Sequence, residues 1–134
     1  MYVDAAAFVA ILSQEVEKKR CEDALATSEN RTTSAIALWE AAHALASTRK
    51  LDISLEDSQA LLSRFIDDRG ISLIQLPPAS VSLAFSIHAS AQYGSGKRRL
   101  NLADCFHYAC AKHYGLPILS TDDEFRLTDI EVVP

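Results

Sequence analysis

Short apolar runs alternate with longer stretches of helical periodicity along the whole chain, a pattern that predicts strands separated by helices. Met1 to Asp4 reads as a strand that opens the chain, followed by an apolar helix over Ala5 to Leu12. Glu15 to Ser28 intersperses charge with Val16, Cys21, Ala24 and Leu25, the signature of a half-exposed helix. Arg31 to Thr33 suits a second strand, and Ser34 is placed to cap a helix running to about Lys50. Within that helix, Trp39 reads as a core anchor in preference to a base-stacking surface. Leu55 to Arg69 is amphipathic, with Leu61, Leu62, Phe65 and Ile66 turned inward and Gly70 as its stop.

Ile71 to Leu76 alternates like a strand and ends at Pro77-Pro78. A helix over Val81 to Tyr93 precedes the polar loop Gly94-Ser95-Gly96, and Asn101 caps a helix from Leu102 to Tyr114 that Gly115 closes. Leu116 to Leu119 and Ile130 to Val133 complete the strands. Strands linked by helical segments imply an α/β fold with a short parallel sheet of four to five strands, covered by helices on both faces. Ligands in such sheets bind beyond the carboxyl ends of the strands, where both Asp4 and Asp122 would fall.

Composition narrows the picture without changing it. A chain of 134 residues fits one domain, residues 1–134, with 49% hydrophobic and 23% charged residues as in ordinary globular proteins. No apolar run approaches the roughly 20 residues that cross a bilayer. The start MYVDAAAFVAIL lacks a basic leader, so a cytoplasmic protein with no membrane partner is expected. Cys21, Cys105 and Cys110 form no C-x-x-C pair and fit reduced thiols. A net charge of -5 argues against a nucleic-acid binder, unless several acids are gathered around metal.

Charge placement changes more. Asp4 is the only charged side chain from Met1 to Gln14, Glu40 the only one between Arg31 and Arg49, and Asp104 the only one between Arg99 and Lys112. A carboxylate in such surroundings loses hydration and needs a partner, and none of these stretches supplies a base. Each acid also has an ordinary explanation. Asp4 could end a strand or cap a helix; Asp104, at the third position after Asn101, could complete a capping box. Glu40 could be exposed or bonded to His43, and Asp122-Asp123-Glu124 could be a polar turn.

Gathered together, these acids would repel one another by about 4 kcal/mol per pair at 4 Å and an effective dielectric of 20. A hard divalent cation, Mg2+ or Mn2+, relieves that repulsion and can promote attack of water on a phosphodiester. Lys97-Arg98-Arg99, after the Gly94-Ser95-Gly96 loop, are candidate RNA-phosphate contacts or simply a solvated loop. GSGK fails as a phosphate loop, since Ala91 stands where the first Gly is required. Cys105, His107, Cys110 and His113 do not converge as a zinc site would from a single helix, and Cys110, Phe106 and His113 read as its core face. The four histidines display no obvious pair for metal-free ribonuclease chemistry.

In order along the chain, MYVDAAAFVAIL, TSAIALWEAAHAL, LNLADCFHYACAKHYGLPILSTDDEF and LTDI resemble PIN-domain ribonucleases, specifically the VapC-type toxins of bacterial toxin-antitoxin pairs. The resemblance spans the chain. It implies a PIN-like three-layer sandwich and a Mg2+- or Mn2+-dependent endoribonuclease that cleaves structured RNA, a tRNA or rRNA loop. It further implies a homodimer held inactive by a small antitoxin protein. Asp4, Glu40 and Asp104 match three of the family's four acids. The fourth falls at Asp122 or Glu124, with Asp123 between them, and Asp122 is preferred as nearest the strand end. Ser34, Thr121 and Glu124 match pocket-lining positions. A non-catalytic α/β module that binds a protein or RNA is the competing expectation.

Overall fold

A computed structural model describes residues 1–90 and 100–134. The expected loop Gly94-Ser95-Gly96 and the basic run Lys97-Arg98-Arg99 lie outside the described residues. The strands are β1 (Tyr2–Val3), β2 (Thr32–Ser34), β3 (Ser72–Ile74), β4 (Ile118–Leu119) and β5 (Val132–Val133). The helices are α1 (Ala5–Leu12), α2 (Lys18–Thr27), α3 (Ala35–Ala46), α4 (Leu55–Arg69), α5 (Ser80–Ala89) and α6 (Leu102–Tyr114), with a 3-10 turn over Asp123–Leu127.

All strand pairs are parallel, in the order β3-β2-β1-β4-β5. From central β1 the chain builds first toward β2 and β3, then returns to add β4 and β5 on the other side. β1 and β4 therefore flank the point where the winding reverses, which is where doubly wound sheets open a crevice.

The period of two in β1 and β4 divides the core. Val3 and Leu119 join the cluster with Phe8, Ile11, Leu25, Leu45, Leu62 and Phe65. Tyr2 and Ile118 face the other way, into the cluster with Ala84, Ile87, Tyr108, Cys110 and Phe125. Helices thus cover both faces of the sheet, giving the three-layer α/β sandwich expected from the alternation of elements.

α1, α4 and α6 match their expected bounds, and α4 and α6 do so because their ends carry explicit signals. Gly70 (φ 59°) and Gly115 (φ 63°) close α4 and α6 in the left-handed conformation. Elsewhere the expectations ran long. The segment from Glu15 becomes helical only at Lys18, and α3 ends at Ala46 rather than near Lys50. The strands are two or three residues each, shorter than the apolar runs that announced them.

Trp39 is not a core anchor: it is 65% exposed and lies against His43, ring centroids 4.2 Å apart. The stripe of α3 that faces the core is made of Ala37, Ala41, Ala42 and Leu45, and Trp39 falls outside it. His113 is likewise exposed, whereas Cys110 is buried and Phe106 partly so. Among the described residues no helix is long and apolar enough to cross a membrane.

Candidate active site

Beyond the carboxyl ends of β1 and β4 lies a cavity of about 260 Å³. Asp4, Glu40, Asp104 and Asp122 all line it, with Thr121, Asn101, Glu15 and Lys50 among their neighbours. Four acids from the first strand's end, α3, the start of α6 and the loop after β4 thus share one wall-to-wall space.

Asp4 follows β1 directly and occupies the N-cap position of α1, yet its side chain makes no cap hydrogen bond. Its amide donates to Leu119 O at 3.0 Å, which fixes the backbone across the β1–β4 seam. Ser120 Oγ donates to Asp4 Oδ2 at 2.7 Å. Asp4 Oδ1 is buried and has no hydrogen-bond partner. The side chain is therefore held at one oxygen and left with an unmet acceptor at the other, at a cost that proteins seldom accept without a purpose.

Asp104 carries out both of its possible roles. Asn101 Oδ1 accepts from the Asp104 amide at 3.0 Å, and Asp104 Oδ2 accepts from the Asn101 amide at 2.7 Å, a complete capping box. The same carboxylate, only 7% exposed, lines the cavity. Glu40 projects from α3 and accepts from His107 Nε2 at 2.9 Å. His43, its sequence neighbour, is instead paired with Trp39. Asp122 stands at the rim, exposed, with its amide bonded to Ser120 Oγ at 3.1 Å. It too sits at an N-cap position, that of the 3-10 turn, without a side-chain cap bond.

The electrostatics record the crowding. Burial pushes the Asp104 carboxyl up to about 6, against the help of the Asn101 amide, and the charges of Asp4 and Glu40 push the same way. Burial, then Asp4, Asp104, Glu124 and Glu40, raise Asp122 to about 7. Burial alone would lower His107, but its bond to Glu40 and the charges of Asp4, Glu40 and Asp104 raise it overall.

A carboxyl that titrates higher in the folded chain than in the unfolded one stabilises the fold fully below about pH 4, and that contribution is lost as pH rises through 6. Asp104→Asn removes this dependence. In metal-free buffer its melting temperature should gain on that of the unchanged protein between pH 4 and pH 7, as thermal melts across that range will record.

Other positions expected at the pocket fall differently. Thr121 lines the cavity. Ser34 does not: it is buried behind it, 2.7 Å from Tyr2 OH, because the pleat at the end of β2 turns its hydroxyl toward β1. Glu124 is not among the lining residues and reaches the site only through its charge on Asp122. Asp123, on the 3-10 turn, lies 3.7 Å from Arg126 and outside the lining.

Sequence reasoning missed Lys50, Glu15, Ser120 and His107. The early end of α3 lets the chain fold back, so Lys50 reaches the cavity and pairs with Glu15. Ser120 carried no signal beyond its place after a buried strand. His107 was hidden by its context, since a histidine on a buried helix reads as packing.

The chemistry of the donor set suits a hard divalent cation: carboxylate oxygens crowded at a sheet edge, one of them buried and without a donor. Among the described residues no three His, Cys, Asp or Glu side chains are already arranged to hold an ion. Glu40 is engaged by His107, and one Asp104 oxygen by Asn101.

Comparison with known proteins agrees with the fold. The PIN domain family model matches residues 1–131. A protein of Mycolicibacterium smegmatis named ribonuclease VapC is 33% identical over 141 residues, covering 99% of each chain. Among solved structures, Mycobacterium tuberculosis VapC20, described as a sarcin-ricin loop cleaving toxin, superposes with a TM-score of 0.75 at 13% identity, over 99% of this chain and 98% of that one. A toxin-antitoxin complex from Klebsiella pneumoniae gives a TM-score of 0.68 at 14% identity, over 99% and 95%. At such identities the structural likeness speaks to fold, while the full-length sequence match goes further: this chain belongs to the PIN-domain family, among proteins of the VapC type.

Proposed function

We infer that the chain, as a single catalytic domain over residues 1–134, is a metal-dependent endoribonuclease and the toxin member of a type II toxin-antitoxin pair. One observation carries the reading: Asp4, Glu40, Asp104 and Asp122, scattered in sequence, line a single cavity at the reversal point of the sheet, with a buried Asp4 oxygen left without a donor. The VapC name of a relative matched along its full length supports RNA as the substrate. A fold shared with the toxin of a toxin-antitoxin complex supports a small antitoxin protein as partner. A homodimer in the cytoplasm that cuts a structured tRNA or rRNA loop completes the proposal.

Asp4, Glu40, Asp104 and Asp122 would together hold Mg2+ or Mn2+. When bound, the ion supplies positive charge against the charge that builds on the phosphoryl group and makes water a stronger nucleophile. The chain's own residues do the rest. Ser120 fixes the Asp4 carboxylate by one oxygen, and the capping box fixes Asp104, so neither must be ordered when substrate arrives. Lys50 at the cavity wall can turn from Glu15 to a phosphate oxygen. Water attacks phosphorus and gives up a proton to solvent, the bond to O3' breaks, and O3' takes a proton from solvent, so the products carry a 5'-phosphate and a 3'-hydroxyl.

The test is product chemistry. Cleavage of bulk tRNA and rRNA should vanish in chelator, return with Mg2+ or Mn2+, and leave 5'-phosphate ends. Cleavage that persists in chelator and leaves a 2',3'-cyclic phosphate would reject the reading in favour of attack by the ribose hydroxyl.

A further inference from the structure

Behind the acid cavity runs a hydrogen-bonded column whose buried members, Ser34, Tyr2 and His107, the proposed reaction does not use. Ser34 Oγ lies 2.7 Å from Tyr2 OH, Tyr2 OH lies 2.9 Å from His107 Nδ1, and His107 Nε2 lies 2.9 Å from Glu40 Oε2. The same Nε2 is 3.4 Å from the unpartnered Asp4 Oδ1. Ser34 is 1% exposed, Tyr2 and His107 0%. The members come from β2, β1 and α6 and end on α3.

The direction of the bonds follows from chemistry. Ionised carboxylates only accept, so Nε2, facing two of them, carries a hydrogen. Nδ1 accepts from the Tyr2 hydroxyl when the ring is neutral and donates to the Tyr2 oxygen when it is charged, and the Tyr2–Ser34 hydroxyl pair can turn to suit either state. Every buried polar atom along the column finds a partner because the column terminates on an acid.

Glu40 needs such a partner more than its neighbours do. Asp4 is held by Ser120 and Asp104 by its own cap, whereas Glu40 is a long side chain, 32% exposed, on a helix that offers it no Lys or Arg one turn away. Left alone, it would be driven from the cavity by the other acids and drawn to water. His107 and Asp104 lie three residues apart on α6, so one helix face delivers both an acid and the donor that restrains another acid.

The geometry points to His107 as a positioning residue, whose Nε2–H keeps Glu40 turned into the cavity beside Asp4, while Tyr2 and Ser34 hold the imidazole ring in the orientation from which it donates. This assignment rests on the reading of the acids as a cation site. Hydrogen-bonded supports of metal-holding carboxylates commonly matter ten- to hundredfold in affinity or rate.

Calorimetric titration of the metal-free full chain with Mn2+ at a single pH, with thermal melts as a fold check, tests it in four variants. His107→Leu should weaken Mn2+ binding roughly ten- to hundredfold. His107→Gln should recover most of the loss, because its amide offers a donor and an acceptor spaced like the two ring nitrogens. Tyr2→Phe, which keeps the ring packing and removes only the hydroxyl, should weaken binding in the same direction but less. For RNA cleavage, kcat should follow these losses while KM for RNA stays put, a split that mere loosening of the fold would not produce.

Mn2+ binding in His107→Leu that is unchanged or tighter overturns the assignment. Should His107→Leu fail to fold, Tyr2→Phe decides, and unchanged affinity there overturns it as well. The fourth variant, Asp4→Asn, separates the two levels. Loss of Mn2+ binding in Asp4→Asn with no effect at His107 or Tyr2 sinks this inference alone, and binding that survives Asp4→Asn sinks both it and the cation site.

Discussion

Asp4→Asn and Asp104→Asn should each cut RNA cleavage by roughly a thousandfold or more, the several kcal/mol of charge stabilisation that a bound cation provides at about 1.36 kcal/mol per tenfold. Neither should unfold the chain. In Asp4→Asn, the amide oxygen can still accept from Ser120 Oγ, and the loss at Oδ1 is limited to a 3.4 Å approach of His107 Nε2 that is too long for a good hydrogen bond. In Asp104→Asn, an oxygen remains to accept from the Asn101 amide, so the capping box survives. The lost charge forgoes about 0.3–1 kcal/mol of favourable interaction with the start of α6. Against that stands relief from burying a charge that the protein already resists ionising. Melting at or above the temperature of the unchanged protein, with cleavage gone, is the expected pair of results. Full cleavage in either folded variant would remove the acids from the mechanism, and unfolding of both would make them structural.

The second large effect is on stability, and it should reverse with metal. A ligand present at a hundred times its Kd adds about 2.7 kcal/mol to a fold that alone can bind it. For a chain of this size that is about 10 °C in Tm. The unchanged protein should therefore melt about 10 °C higher with saturating Mn2+ than in chelator. Asp4→Asn should start higher in chelator and gain little from Mn2+. The two melting temperatures would then change order as the ion is added. Parallel gains in both proteins would show that Mn2+ binds elsewhere.

Which parts of this picture were legible in the sequence follows from how local their causes are. The close of α4 and both ends of α6 are written in adjacent residues, Gly70, Asn101 and Gly115, and these bounds needed no tertiary knowledge. The strands were overextended because an apolar run reports burial, and Leu116 or Ile130 can be buried or half-buried without joining the ladder. Three of the acids were legible for a different reason: a lone carboxylate in an uncharged stretch conflicts with its surroundings, and only a distant partner resolves the conflict. Asp122, within an acidic run, carried no such contrast and was chosen by its nearness to a strand end.

His107 presents the opposite case. It is compatible with an apolar helix, so nothing local marks it, and its partners Tyr2 and Glu40 lie 105 and 67 residues away in sequence. The available hint was Tyr2 itself, a hydroxyl placed on a central strand where an aliphatic side chain would pack as well. Trp39 misled for a related reason. Size suggested burial, but α3 approaches its neighbours closely through alanines, and a bulky side chain has room only outside that stripe.

The central place of β1 bears on how such an enzyme can be made safely. Asp4 is tethered to Ser120, 116 positions later, and its strand pairs with β2 on one side and β4 on the other. During translation the opening strand has no completed sheet to enter until the segment around residue 118 has cleared the ribosome. A chain interrupted before then carries the acids of β1 and α3 but no scaffold to unite them with Asp122. The acid cavity is thus completed late and all at once, only after the last of its four acids has been added to the chain.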